Sequence, residues 1–126
     1  MKQFLLSALL LSFVSCSDEL TELDGKWQLL SIESDGNVEV VDTVFYNIQS
    51  SFFQYQIYQQ ATDDYLVDYG FKYRPDEDHL TLELQTESFL PKTDWTSLTR
   101  DFKIEKHTSK RLILSSEGKT YTFRNF

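Results

Sequence analysis

Alternation with a period of two is the feature that most restricts how this chain folds. Tyr65, Val67, Tyr69, Phe71 and Tyr73 are separated by Leu66, Asp68, Gly70 and Lys72. Leu80, Leu82 and Leu84 alternate with Thr81 and Glu83, and Phe102 and Ile104 with Asp101, Lys103 and Glu105. Tyr121 and Phe123 alternate with Thr120, Thr122 and Arg124. Successive side chains of a strand point to opposite faces, so each segment reads as a half-buried antiparallel strand. Turn-forming residues separate them at Asp35-Gly36-Asn37, Ala61 to Asp64, Pro75 to Asp78, Ser109-Lys110 and Glu117-Gly118. Strands are expected near 25–33, 38–48, 51–59, 65–74, 79–86, 100–107, 111–116 and 119–125. About eight strands joined up and down fit one small all-β domain, an antiparallel up-and-down β-barrel whose closure removes exposed edges. An open sheet or a two-sheet sandwich would satisfy the same alternation. The one long irregular piece is Glu87 to Thr99, which contains Pro91 and Trp95, with Asp94 placed to cap a short helical turn.

The 126 residues suffice for a single domain. Of these, 40% are hydrophobic and 15% aromatic, a composition that supports a packed core. Twenty acidic residues against twelve basic ones give a formal charge of −8. That balance repels phosphate backbones and argues against nucleic acid as a partner. It also disfavours electrostatic docking on anionic lipid. A single cysteine, Cys16, rules out an intrachain disulfide, so stability must come from burial.

The chain opens with Met1 and Lys2, followed by a mostly apolar run from Phe4 to Val14, which Asp18 and Glu19 close off. The run is too short for a membrane-spanning helix, which needs ~20 residues, and suits the apolar region of a signal peptide. Phe13-Val14-Ser15-Cys16 resembles the lipobox of bacterial lipoproteins, with Phe13 in place of the usual leucine. The resemblance implies that residues 1–15 are removed, that Cys16 carries a diacylglycerol thioether, and that the new N-terminus is acylated. With several acyl chains, each buried methylene worth ~0.8 kcal/mol, such a protein stays on the membrane. Ser17-Asp18-Glu19 resembles the acidic signal that sends lipoproteins of the Bacteroidota to the cell surface. Residues 16–22 would form the lipidated tether and residues 23–126 the barrel. The implied location is the outer membrane, with the cell surface and the periplasmic face both open.

Gly25-Lys26-Trp27 at the start of the first strand resembles the Gly-x-Trp signature of lipocalins. In that family the glycine permits a tight entry, the tryptophan plugs the closed end, and an arginine of the last strand packs over the indole. Arg124 in "YTFRNF" is the matching position here. The leader, the Gly-x-Trp and the final Tyr-x-Phe-Arg together resemble the small lipocalin-like lipoproteins of Bacteroidota. Thr62-Asp63-Asp64-Tyr65 falls too early for the lipocalin Thr-Asp-Tyr motif and carries an extra residue, so it reads as a turn.

No cofactor motif and no catalytic constellation emerges. His79 beside Asp76-Glu77-Asp78 is the best metal candidate, but it lacks the convergent ligands of a zinc site and the glycine of a calcium loop. It reads as a solvated turn. No serine sits in a Gly-x-Ser-x-Gly elbow. The tyrosines are more informative, because a buried phenol must find a partner for its hydroxyl. Tyr55, Tyr65, Tyr69, Phe71, Tyr73 and Tyr121 are expected on the inner face, where they would line a partly wet cavity able to meet a flat apolar ligand. Alternatively, they point their hydroxyls out at the rim above a filled core. Trp95 and its loop are placed to close the open end. The expected function is non-catalytic binding of a small apolar or aromatic ligand in the barrel. The competing expectation is a filled barrel that contacts a protein or a glycan through its loops. The sequence does not fix the oligomeric state.

Overall fold

The structure, a computed structural model, describes residues 22–126. The leader 1–15, Cys16 and the Ser17-Asp18-Glu19 motif lie outside the described residues. Nine strands form the domain: β1 (Gly25–Ser34), β2 (Asn37–Val40), β3 (Val44–Gln49), β4 (Phe52–Gln59), β5 (Asp64–Asp76), β6 (His79–Leu84), β7 (Thr99–His107), β8 (Arg111–Ser116) and β9 (Lys119–Asn125). Every neighbouring pair is antiparallel, and β9 returns to β1. The result is a closed eight-stranded up-and-down barrel made of β1 and β3–β9, to which β2 adds one extra strand. The expected strand 38–48 is divided. Ser31 pairs with Val40 and Gln28 with Phe45, so the register on β1 slips by two residues across 41–43. On its other edge β1 carries a bulge between Leu29 and Ser31, opposite β9. The register thus shifts on both edges of β1 at one level, the kind of irregularity that lets a sheet curve into a closed barrel.

The turns follow their sequences. Asp35-Gly36 and Glu117-Gly118 both adopt positive φ at two successive residues, the two-residue hairpin geometry that Asp-Gly and Glu-Gly steps accommodate. The β3–β4 turn is held by Asp24, whose carboxylate accepts the Ser50 N–H at 2.7 Å.

One end of the barrel is sealed by Trp27. Its Nε1–H donates to the Leu23 carbonyl at 3.0 Å, and its ring meets His107 edge-on at 5.8 Å. Gly25 sits at φ +150°, and a Cβ there would lie 3.3 Å from Trp27 Nε1. Arg124 does not cover the indole. It is opposed to Gln28 across the β1–β9 ladder, and its Nε donates to Gln28 Oε1 at 2.5 Å. Its guanidinium lies 5.7 Å from the Phe126 ring. Strand alternation explains the difference: Trp27 and Phe123 point inward, so Gln28 and Arg124 point outward.

Inside, Leu80, Leu82 and Leu84 of β6, Leu112 and Leu114 of β8, Phe102 of β7 and Phe123 of β9 are all buried. Strand β5 is turned over relative to its apolar pattern. Asp68, Gly70 and Lys72 face the core, while Tyr69 and Tyr73 are 58% and 49% exposed. The ladder dictates this. Phe53 is opposed to Gly70 and Tyr55 to Asp68, and directly opposed residues share a face. With Phe53 and Tyr55 inward, the even-numbered residues of β5 must be inward too. Gly70 then lets β6 approach closely, since a Cβ on it would fall 1.5 Å from the Glu83 carbonyl oxygen. Gly70→Ala is therefore expected to abolish folding or to force β5 and β6 out of register. Far-UV circular dichroism and a urea melt would show this, and a native-like melt would contradict the packing described.

Candidate functional site

The barrel's other end is closed by the segment between β6 and β7. Its first part is a 3₁₀ turn over Glu87–Lys92. Asp94 does not cap it: Thr86 holds the N-cap position without a side-chain bond. Thr86 is fixed from below, because its N–H donates to the inward-facing Asp68 carboxylate at 3.1 Å. After the turn, Thr93 Oγ1 donates to the Leu90 carbonyl and accepts the Trp95 N–H at 3.0 Å. These bonds aim two aromatic side chains, Phe89 and Trp95, down into the barrel, where both are buried.

Trp95 occupies an aromatic nest. Its indole lies parallel to the Phe53 ring, 6.0 Å between centroids with 7° between planes. It meets Tyr46 and Tyr55 edge-on and Phe102 at a tilt, at 5.9 to 6.3 Å. Its Nε1–H donates to the Tyr46 hydroxyl at 3.0 Å. Phe89 packs edge-on against Tyr55 at 5.7 Å. The lumen at this level is thus filled by rings, and the one polar atom of the indole is satisfied by the wall.

A charged cluster secures the plug from the side. Tyr121 donates its hydroxyl to Asp94 Oδ2 in a short hydrogen bond. Arg100 Nη1 lies 3.4 Å from the same oxygen, and Lys119 Nζ 3.7 Å from it. Arg100 is only 5% exposed, and its guanidinium packs 5.0 Å from the Tyr121 ring and 5.4 Å from Phe102. Arg100 Nε donates to Ser116 Oγ at 3.2 Å and stands 3.1 Å from the exposed Glu117 carboxylate. Nη1 has no hydrogen-bond partner despite its ion pair. An open pocket of about 260 Å³ adjoins the cluster, lined by Thr96, Ser97, Thr99, Arg100 and Ser116 among others.

Burial governs the acid–base behaviour of this region. Desolvation raises the Tyr46 phenol far above its ordinary range, reinforced by the Asp94 charge. Tyr55 is raised by the same loss of solvent and by the neighbouring Tyr46. Tyr121 is raised first by burial and then by its bond to Asp94.

Of the residues expected to line the cavity, the structure brings Tyr55, Tyr121 and Trp95 together at this mouth. Tyr65, Tyr69, Phe71 and Tyr73 stand on the outer wall with β5 turned over, and line no part of the lumen. Tyr65 packs there against Phe45 and Tyr58 at 5.8 and 5.4 Å. Sequence reasoning missed Tyr46 as the partner of Trp95, and Arg100 as a partner of Asp94. The signal for Arg100 was available, since it shares the even parity of Phe102 and Ile104 and so belongs to the inner face. His79 forms an exposed turn contact, its Nδ1 2.7 Å from the Asp76 carboxylate, which this bond holds below its usual range. Among the described residues no group of three or more His, Cys, Asp or Glu side chains is placed to hold a metal ion.

Comparison with known proteins agrees with the barrel fold. The profile of a family described as "Lipocalin-like domain" matches residues 9–126. The chain is similar to an uncharacterized protein from Bacteroides eggerthii, with 28% identity and a TM-score of 0.74, covering 82% of this chain and 98% of that one. It is equally similar to a lipocalin-like protein from Bacteroides uniformis, with 27% identity, a TM-score of 0.74 and the same coverage. No curated protein matches.

A prediction follows from the three buried phenols. A group whose folded pKa is raised stabilises the fold below its unfolded pKa and loses that contribution as pH rises. In a spectrophotometric titration Tyr46, Tyr55 and Tyr121 should therefore stay protonated, out of seven tyrosines, until the chain unfolds above roughly pH 10. Ionisation of all seven in a chain that keeps its circular dichroism spectrum would refute the packing of the mouth.

Proposed function

Starting from a chain that belongs to the lipocalin-like domain family, we propose a lipid-anchored, non-catalytic binding protein of the outer envelope. It takes a small, flat, largely apolar ligand into the barrel mouth, in the place Trp95 now fills. The observation that carries this reading is the indole itself. It is stacked on Phe53, edged by Tyr46 and Tyr55, and hydrogen-bonded through its one polar atom to Tyr46. A nest that accepts a planar ring with one N–H accepts other planar molecules of similar size and polarity. The plug comes from an inter-strand segment whose departure would break no strand ladder, apart from the Leu84 N–H to Leu98 carbonyl bond at its base.

Trp95→Ala tests the nest directly. The variant should lose about 3–5 kcal/mol of stability, the usual cost of emptying so large a site. Free indole should bind it and raise its melting temperature, and should bind the wild type, whose nest the plug fills, far more weakly. Full-length protein from the native envelope should carry a ligand visible by native mass spectrometry, with quenched or shifted Trp95 emission. A single apo mass, together with no indole binding by the variant, would remove this function.

Anchoring rests on Phe13-Val14-Ser15-Cys16. Cys16→Ala should move the protein from the membrane fraction to the soluble fraction and abolish labelling by radioactive palmitate. Protease shaving of intact cells, compared with permeabilised ones, separates the cell surface from the periplasmic face. Membrane retention of the alanine variant would mean that something other than a thioether lipid holds the protein.

A further inference from the structure

The outward turn of β5 creates a surface unlike the rest of the molecule. The outward residues of β3 are Phe45, Asn47 and Gln49, and those of β4 are Phe52, Gln54, Gln56 and Tyr58. Those of β5 over the same span are Tyr65, Val67, Tyr69, Phe71 and Tyr73. None of these is charged, in a chain where 25% of residues are. Phe52 and Tyr69 are 60% and 58% exposed. Phe52 and Phe71 are paired across the ladder with ring centroids 6.1 Å apart, and Tyr58 and Tyr65 form a second pair at 5.4 Å. The two pairs are six residues apart along β4, roughly 20 Å at the rise of a strand. Between them runs a row of amides, in which Asn47 Nδ2 and Gln56 Nε2 both donate to Gln54 Oε1, at 3.4 and 3.2 Å. Beyond Tyr58 and Tyr65 the wall deepens into an outer groove of about 380 Å³, bordered by Gln28, Asp42, Phe45 and Phe126. The lysine nearest this groove is already engaged, with Lys26 Nζ 4.8 to 5.1 Å from the rings of Phe45, Tyr65 and Phe126.

We propose that this outer wall docks a neutral oligosaccharide chain, lying along β4 from the Phe52–Phe71 pair to the groove beside Tyr58 and Tyr65. The proposal does not depend on the lumen being a ligand site. Rings flanking a row of amides match the chemistry of a sugar chain. The C–H faces of the sugars pack flat on aromatic rings, and their hydroxyls both donate to and accept from carboxamides. The outward faces of β3, β4 and β5 carry no charged side chain, and the charges at their border, Lys26, Asp42 and Glu83, are of both signs, so nothing here favours an anionic polymer, which a chain of −8 would also repel. A protein partner fits less well. A dry interface over this wall would have to satisfy every amide with rigid counterparts or leave them unpaired, at about 1–3 kcal/mol each.

The test uses the full chain and defined probes: the hexasaccharides of cellulose, laminarin, amylose and mannan, with a hexagalacturonan as the charged control. Isothermal titration calorimetry should find binding of at least one neutral hexasaccharide, with affinity unchanged between about 50 and 500 mM salt. Phe52→Ser and Tyr69→Ser, both at exposed positions, should each weaken it roughly tenfold or more while melting temperatures stay near that of the wild type. Trp95→Ala should leave glycan binding intact, which separates this site from the mouth. No binding of any neutral probe, preference for the galacturonan, or binding untouched by the wall substitutions would each overturn the proposal. So would a dimer in sedimentation velocity that the same two substitutions dissociate, which would make the wall an interface between copies.

Discussion

In a closed antiparallel barrel the face of one strand is not its own to choose. Directly opposed residues point the same way, and strand pairing closes from β1 through β3–β9 back to β1, interrupted only locally by the register shifts of β1–β9, β5–β6 and β7–β8. Once Trp27, Tyr46, Phe53 and Tyr55 are committed inward, the parity of every other strand is fixed. Strand β5 shows what this coupling can impose. By its own composition it would bury Tyr65, Val67, Tyr69, Phe71 and Tyr73. It instead buries Asp68, Gly70 and Lys72, because Tyr55 and Phe53 stand opposite Asp68 and Gly70. The charges so enclosed are not idle. Asp68 receives the Thr86 N–H and anchors the segment over the mouth. Lys72 lies where burial lowers its pKa while Asp24 and Glu22 act to raise it.

The same coupling joins the two halves of the functional argument. Turning β5 over removes three tyrosines and a phenylalanine from the lumen and leaves room there for Gly70 and the incoming rings of the 87–99 segment. It also lays those four aromatics on the outer wall beside Phe52. The filled mouth and the uncharged aromatic face are therefore consequences of one register. A one-residue slip of β5 would exchange them, hiding the wall and crowding the mouth.

Most of the scaffold was legible because it is written locally. Each expected strand lies within a few residues of an observed one, and the turns at Asp35-Gly36 and Glu117-Gly118 have the geometry their residues prefer. Gly25 and Trp27 also read correctly, since tight entry and indole plug belong to adjacent positions. What failed was non-local. The face of β5 depends on its neighbour's register, and Arg124 was matched to Trp27 although alternation sets them on opposite sides of the wall. The split of 38–48 shows only in its pairing with β1, whose register slips by two residues across 41–43. Asp94 was assigned to a helix cap by its neighbours in sequence, whereas its actual partners, Arg100, Lys119 and Tyr121, arrive from β7 and β9. Trp95 was identified as a closing residue, but its seat in the Tyr46–Phe53–Tyr55 nest required the folded barrel.

The two surfaces operate under different energetic terms. A ligand entering the mouth must displace Trp95, whose burial is worth about 3–5 kcal/mol on the scale of large aromatic truncations. Its apparent affinity is lowered by the fraction of molecules in which the plug is open, roughly a hundredfold to a few thousandfold for an opening cost of that size. On the proposed function, only a ligand that recovers the stacking on Phe53 and the hydrogen bond to Tyr46 would overcome that handicap, and the plug would act as a filter on shape and polarity. The outer wall has no such gate. Its rings are already exposed and its strands already ordered, so binding there orders little beyond a few side chains. A site of that kind suits a repeating partner at high local concentration, held by several weak contacts and released readily. On the two proposals, the barrel would pair a selective, gated interior with a permissive exterior, and one strand's register would set both.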